Sequence, residues 1–223
     1  MPIFKTKNEN FFKKWSPEMA YVLGFFAADG NLTIGERGNY YLEFNSIDRD
    51  IIEKIKNILG PSYKIGIRKR NKNWKDSFRI QIGSKIMCYD LVNLGFTPNK
   101  SKRLNFPKMP VKYWHHFIRG YFDGDGYAFS GIYKRNNRPS KNRVLFSGFI
   151  SGTRRFLEKL RIVLMRLAKI EGGTLYYSQG FRLTFSIKDS LRLYKFLYKD
   201  IDTGLYLARK KEVFEKYLNG VVA

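Results

Sequence analysis

The sequence predicts an α+β fold made of two pseudo-symmetric αββαββα repeats. Three observations carry that reading: a motif that occurs twice, the same succession of helix and strand patterns after each copy, and a Pro-rich basic stretch between them. Ser16-Pro17-Glu18 precedes the apolar run AYVLGFFAADG at Ala20–Gly30, and YWHHFIRGYFDGDG runs from Tyr113 to Gly126. At one constant offset Gly24 aligns with Gly120, Asp29 with Asp125 and Gly30 with Gly126. A repeat of this length means one supersecondary unit used twice.

The motifs predict helices over about 17–29 and about 111–125. After the first comes a Gly-punctuated hairpin, Leu32–Ile47, then a helical pattern, Asp48–Gly60. Alternation then sets Tyr63, Ile65 and Ile67 on one face against Lys64, Arg68 and Arg70, and Phe78, Ile80 and Ile82 against Arg79 and Gln81. A helix over Lys85–Leu94 closes the unit. The second copy repeats this order with a hairpin at Tyr127–Ile150 and a helix at Thr153–Lys169. A strand follows with Phe181, Leu183, Phe185 and Ile187 opposite Arg182 and Thr184, then helices at Lys188–Tyr198 and Leu207–Leu218. The expected division is residues 1–96, a linker at 97–110 with three prolines, and residues 111–223.

Composition excludes several classes. With 43% hydrophobic and 17% aromatic residues the chain has the material for a packed core and is not disordered. The longest uncharged apolar run, Met19–Ala28, is half of what a membrane helix needs, so no membrane partner is expected. One cysteine, Cys88, and two adjacent histidines, His115 and His116, leave no set for a zinc finger or a cysteine–histidine catalytic pair. No signal-peptide pattern opens the sequence, so an intracellular setting is expected: prokaryotic cytoplasm or nucleoid, or an organelle matrix.

Charge points to the partner. The chain carries 42 Lys+Arg against 19 Asp+Glu, a net +23. A thermophile-type surface would add glutamate along with lysine; an excess of one sign points to a polyanion, nucleic acid first. The solvent faces of the predicted strands are rich in side chains that pair with phosphates and base edges. The candidates are Tyr41, Asn45, Lys64, Arg68, Arg70, Arg79 and Gln81 in the first repeat. In the second they are Lys134, Arg135, Arg143, Arg182 and Thr184.

The motif helices carry small residues four apart, Gly24 with Ala28 and Gly120 with Gly124, a strip along which two helix backbones can approach. Glycine inside a helix costs about 1 kcal/mol relative to alanine, and both copies keep it. Gly30 and Gly126 suit a left-handed helix end. Asp29 and Asp125 then occupy last turns, where the macrodipole disfavours a carboxylate. If the helices pack side by side the two carboxylates meet, and one takes up a proton unless a cation neutralises them. Free carbonyls nearby complete an all-oxygen Mg²⁺ site.

VLGFFAADG and IRGYFDGDG, one repeat apart and followed by the same αββαββ pattern, resemble the two motifs of a monomeric LAGLIDADG homing endonuclease over nearly the whole chain. The resemblance implies the homing endonuclease fold, with saddle-shaped antiparallel sheets and the motif helices at the interface of the halves. It implies a functional monomer that cuts a long asymmetric double-stranded DNA target with a staggered break leaving 3′ overhangs. Asp29 and Asp125 would be catalytic and metal-binding, with the carbonyls of Ala28 and Gly124 as further ligands. Mg²⁺ is the implied metal, with Mn²⁺ substituting and Ca²⁺ supporting binding without cleavage. A basic residue near each site is implied: Lys100 in TPNKSKR, and Lys210 or Arg209 in LARKKEVF. The first motif departs from the pattern at Ala27, where the second has Asp123, a helix position rather than a metal position. The rival reading is an RNA-binding intron maturase with the same fold, whose partner is intron RNA.

Overall fold

The computed structural model describes residues 6–35, 38–69, 75–98, 104–134 and 141–220, with only the backbone of Lys134 and Lys141. Helix α1 (Pro17–Asp29) starts where Ser16 accepts a hydrogen bond from Met19 N at 3.1 Å and Pro17 fills the first turn. Every residue from Met19 to Ala27 is buried, so α1 has no polar face and forms the centre of a core. There follow β1 (Gly30–Ile34), β2 (Tyr40–Ser46), α2 (Arg49–Leu59), β3 (Gly66–Arg68), β4 (Ser77–Gly83), α3 (Lys85–Asn93) and α4 (Trp114–Asp125). The four strands form an antiparallel sheet in the order β1-β2-β4-β3. Leu32, Leu42, Phe44, Ile80 and Ile82 point inward, against a helix whose buried stripe is Ile51, Ile52, Ile55 and Leu59.

The second set of elements repeats the order: β5 (Gly126–Lys134), β6 (Lys141–Ser151), α5 (Arg154–Ala168), β7 (Thr174–Tyr177), β8 (Phe181–Phe185), α6 (Ile187–Leu197) and α7 (Ala208–Leu218). Their sheet has the order β5-β6-β8-β7, also antiparallel. Contacts divide the chain into two compact units, residues 1–124 and 125–223. The repeat in the sequence breaks within 97–110, whereas the packing breaks after Gly124, because α4 packs its backbone onto α1.

That packing is close. A Cβ on Gly24 would overlap the Phe117 carbonyl oxygen and lie 2.9 Å from Tyr121 N. A Cβ on Gly120 would overlap the Tyr21 carbonyl oxygen and lie 2.8 Å from Phe25 N. The two glycines are reciprocal, each making room for the other helix's backbone, as the small-residue strip in the sequence anticipates.

Two expectations are corrected. Strand β3 is short and lies at the sheet edge, so Ile67, although paired with Phe78, is 57% exposed; Tyr63 is buried ahead of the strand instead. Ile187 does not extend β8 but opens α6. There Asp189, in the first turn, accepts hydrogen bonds from Glu171 N and Gly172 N and fastens the α5–β7 connection. Arg192 bridges Asp189 and Glu171, and Lys188 also reaches Glu171.

Gly24→Ala and Gly120→Ala test the helix approach. The clash outweighs the gain in helix propensity, and each variant is expected to lose about 2 kcal/mol or more in urea denaturation; a loss below about 0.5 kcal/mol in both would show that the backbones are free to separate. The Arg192 and Lys188 hydrogen bonds hold the Glu171 carboxyl at about 2. A carboxyl held low stabilises the fold above its ordinary value near 4.5 and loses that contribution as pH falls towards 2. Arg192→Ala is expected to flatten the stability profile of that acid window, and an unchanged profile would show that the exposed pair is fully screened.

Candidate metal centre and nucleic-acid interface

Helix α1 runs directly into β1, and α4 directly into β5. Gly30 has φ −81° and ψ 154°, an extended conformation, and Gly126 has no positive φ either. The left-handed helix ends expected from the sequence are therefore absent. Gly30 is needed for space instead, since a Cβ there would overlap the Phe26 ring and lie 2.6 Å from the Phe26 carbonyl oxygen. The consequence is functional: the acidic residue of each motif sits at a helix-to-strand junction with no turn after it.

At the end of the helix pair, a Cβ on Gly124 would overlap the Ala28 methyl and lie 3.2 Å from Asp29 Oδ2. The Asp29 carboxylate therefore lies against the Gly124 backbone, and Asp29 is exposed. The next residue in the chain is Asp125, half-buried. These are the four residues of the expected metal set, and three of them, Ala28, Asp29 and Gly124, stand within contact of one another in residues 1–124. In residues 125–223 Lys210, only 6% exposed, donates from Nζ to the Gly126 carbonyl at 2.6 Å. Of the two candidates in LARKKEVF, Lys210 is thus the one brought beside the motif end; Arg209 is exposed. Lys100 lies outside the described residues.

The helix pair holds polar groups that reading the sequence did not place. The Tyr21 hydroxyl donates to Asp123 Oδ2 at 2.7 Å, both groups buried. Arg119, fully buried, lies over the Tyr21 ring at 5.7 Å and places Nη2 2.9 Å from His116 Nδ1. A guanidinium can only donate, so His116 Nδ1 accepts and its proton resides on Nε2. The sequence signal was present in the spacing: His116, Arg119 and Asp123 are three and four apart, one stripe of α4. Both histidines are buried, and His116 is partnered by Arg119.

On the first sheet Tyr41, Asn45, Arg79 and Gln81 share the outer face, opposite the buried Leu42, Ile80 and Ile82. Glu43, an acid on the same face, accepts from Asn45 Nδ2 at 2.8 Å and pairs with Arg79 at 3.4 Å. It orients both candidate readers. Arg68 stands at the exposed end of β3, and Lys64 is exposed ahead of that strand. On the second sheet Arg182 and Thr184 share the outer face; Arg182 Nε donates to Ser178 O at 3.1 Å and Thr184 bonds the Tyr127 hydroxyl. Arg143 lies on the other face by register, paired with Ile132, and is held by the Tyr217 carbonyl and ring. Arg70 and Arg135 lie outside the described residues, as does the Lys134 side chain.

Residues 16–92 match a family described as LAGLIDADG-like domain. That match spans the first motif and the elements after it, and the fold of the chain is that of solved LAGLIDADG meganucleases. It is 25% identical over 221 residues to the uncharacterized protein MJ0398 of Methanocaldococcus jannaschii, covering 92% of this chain and 73% of that one. Among solved structures, the LAGLIDADG meganuclease I-AabMI bound to uncleaved DNA superposes with a TM-score of 0.62 at 15% identity, over 92% of this chain and 90% of that chain. I-SmaMI bound to an uncleaved DNA target in the presence of calcium ions gives 0.60 at 11% identity over the same shares. Among the described residues no helix is long and apolar enough to cross a membrane.

Tyr21→Phe keeps the ring and removes the donor to a buried carboxylate. Hydrogen bonds to charged groups contribute about 1.5–3 kcal/mol, and that loss is expected in denaturant unfolding. A variant as stable as the parent would show that Asp123 relies on its other partners.

Proposed function

We propose that this protein is a metal-dependent, sequence-specific DNA endonuclease that acts as a monomer and makes a staggered double-strand break in a long asymmetric target. The observation that carries this reading is the Asp29 carboxylate lying against the side-chain-free backbone of Gly124, with Asp125 the next residue. Helix ends carrying free carbonyls are a poor place for carboxylates unless a cation joins them. The donors are all oxygen: the carboxylates of Asp29 and Asp125 and the carbonyls of Ala28 and Gly124. That set fits Mg²⁺, with Mn²⁺ as a substitute, and Ca²⁺ for binding without cleavage.

When bound, the metal supplies neutralising charge at the phosphodiester and water of lowered pKa. The chain's own residues do the rest. Asp29 and Asp125 fix the position of the site on a rigid helix pair, and Gly124, having no side chain, lets Ala28 and the Asp29 carboxylate close on its backbone. Lys210, held against the carbonyl that follows Asp125, keeps a positive charge beside the charge that develops on the scissile phosphate; Lys100 is assigned the equivalent role in the first repeat. The outer sheet faces lie along the major groove as β-ribbons, with Arg79, Gln81 and Arg182 reaching base edges. The net charge of +23 supplies the affinity that does not depend on sequence.

Asp29→Asn and Asp125→Asn keep size and remove the metal-binding charge. Both variants are expected to stay folded and to bind DNA in Ca²⁺, and to lose double-strand cleavage in Mg²⁺, as the parent does with excess EDTA. Cleavage of both strands at near-parental rate by either variant would place the active site elsewhere.

A further inference from the structure

The two sheets share one register, so their outer faces can be compared position by position. Gly30 opposes Phe44, which opposes Ile80; Gly126 opposes Phe149, which opposes Leu183. Counting from these anchors, Asn31, Thr33, Glu43 and Asn45 of the first sheet correspond to Tyr127, Phe129, Gly148 and Ile150 of the second, and Tyr41 corresponds to Phe146. The Arg79 and Gln81 positions keep polar occupants, Arg182 and Thr184, and the Tyr127 hydroxyl bonds Thr184. The same architecture therefore carries a hydrogen-bonding face once and a mainly aromatic face once.

The aromatic face is open. Phe129 and Phe146 are cross-strand partners, 58% and 40% exposed. A Cβ on Gly131 would lie 2.9 Å from the Phe129 ring, and one on Gly148 2.8 Å from the Tyr127 ring, so these rings lie along the sheet rather than standing off it. The result is a low, broad apolar surface that contributes nothing to the core behind it. Exposed apolar patches of this kind mark binding sites.

The edges of a duplex present one apolar group in the major groove, the thymine C5-methyl. Among the described residues of these strands, Arg182 is the outer face's cation. A surface that tracks single strands needs several cations beside its rings. The polar equivalents on the first sheet are side chains that pair with guanine and adenine edges. We propose that residues 125–223 read a thymine-rich half-site through methyl contacts of Phe129 and Phe146, whereas residues 1–124 read guanine and adenine by hydrogen bonds. This rests on the endonuclease reading above and names the asymmetry of its target.

The test is selection from a randomised duplex library in Ca²⁺, run with thymine and with deoxyuridine in its place. The enriched sequences are expected to hold a thymine block in one half and a purine pattern in the other. Losing each buried methyl costs about fourfold in affinity, so a deoxyuridine block of three is expected to bind on the order of fiftyfold more weakly. The double variant F129A/F146A is expected to lose the block and the deoxyuridine sensitivity while keeping the purine half, with its thermal midpoint unchanged. Equal affinity for thymine and deoxyuridine overturns the proposal while leaving a sequence-specific DNA binder. So does a block retained by the double variant, a tighter complex with single-stranded RNA through the same two residues, or a dimer that these substitutions dissolve. Failure to enrich any duplex overturns the endonuclease reading itself.

Discussion

The backbone contact between α1 and α4 at Gly24 and Gly120 is the constraint on which everything else depends. Side chains of ordinary size would hold two helices at 8–10 Å. Here each glycine admits the other helix's carbonyl, and the helix ends are drawn together with it. Gly124 then meets Ala28 and the Asp29 carboxylate, so the acidic end of the pair is a product of the packing rather than of a loop. A site on rigid elements holds its ligands more closely than one on loops can.

Closeness has a second effect. Helix α1 is apolar all round, so α4 must bring its own polar groups into a buried interface and satisfy them there. Tyr21 supplies the hydroxyl for Asp123 and a ring face for Arg119, and His116 accepts from the guanidinium. Unsatisfied, such groups would cost more than an apolar replacement; satisfied, they fix which residues stand opposite one another. The pair is thereby locked in one alignment, which keeps the helix ends level.

The sheets show how duplication frees one face of a structure while holding the other. Inward positions keep their apolar character in both repeats, Phe44 and Ile80 in one and Phe149 and Leu183 in the other, because the core demands it. Outward positions carry no such demand and differ between the repeats, Asn, Thr and Glu in one and Tyr, Phe and Gly in the other. An acid among the polar readers has a use as well, since Glu43 holds Asn45 and Arg79 in place.

Sequence by itself determined the two repeats, the order of their elements, the small-residue strip and the acidic residues that close each motif. These are local or periodic properties: alternation reports which side of a strand is buried, and a repeat reports itself. It failed where the answer depended on neighbours. Ile67 alternates correctly but lies on an edge strand too short to be covered, and Arg143, expected on the outer face, falls on the opposite one by register and is held by Tyr217. Gly30 suits a left-handed cap, yet its place is dictated by the Phe26 ring. Which lysine reaches the second motif, how His116, Arg119 and Asp123 find partners, and that α4 packs with the first unit were all decided by tertiary structure. Each depends on the distance between groups far apart in the chain, and no local pattern of residues encodes that distance.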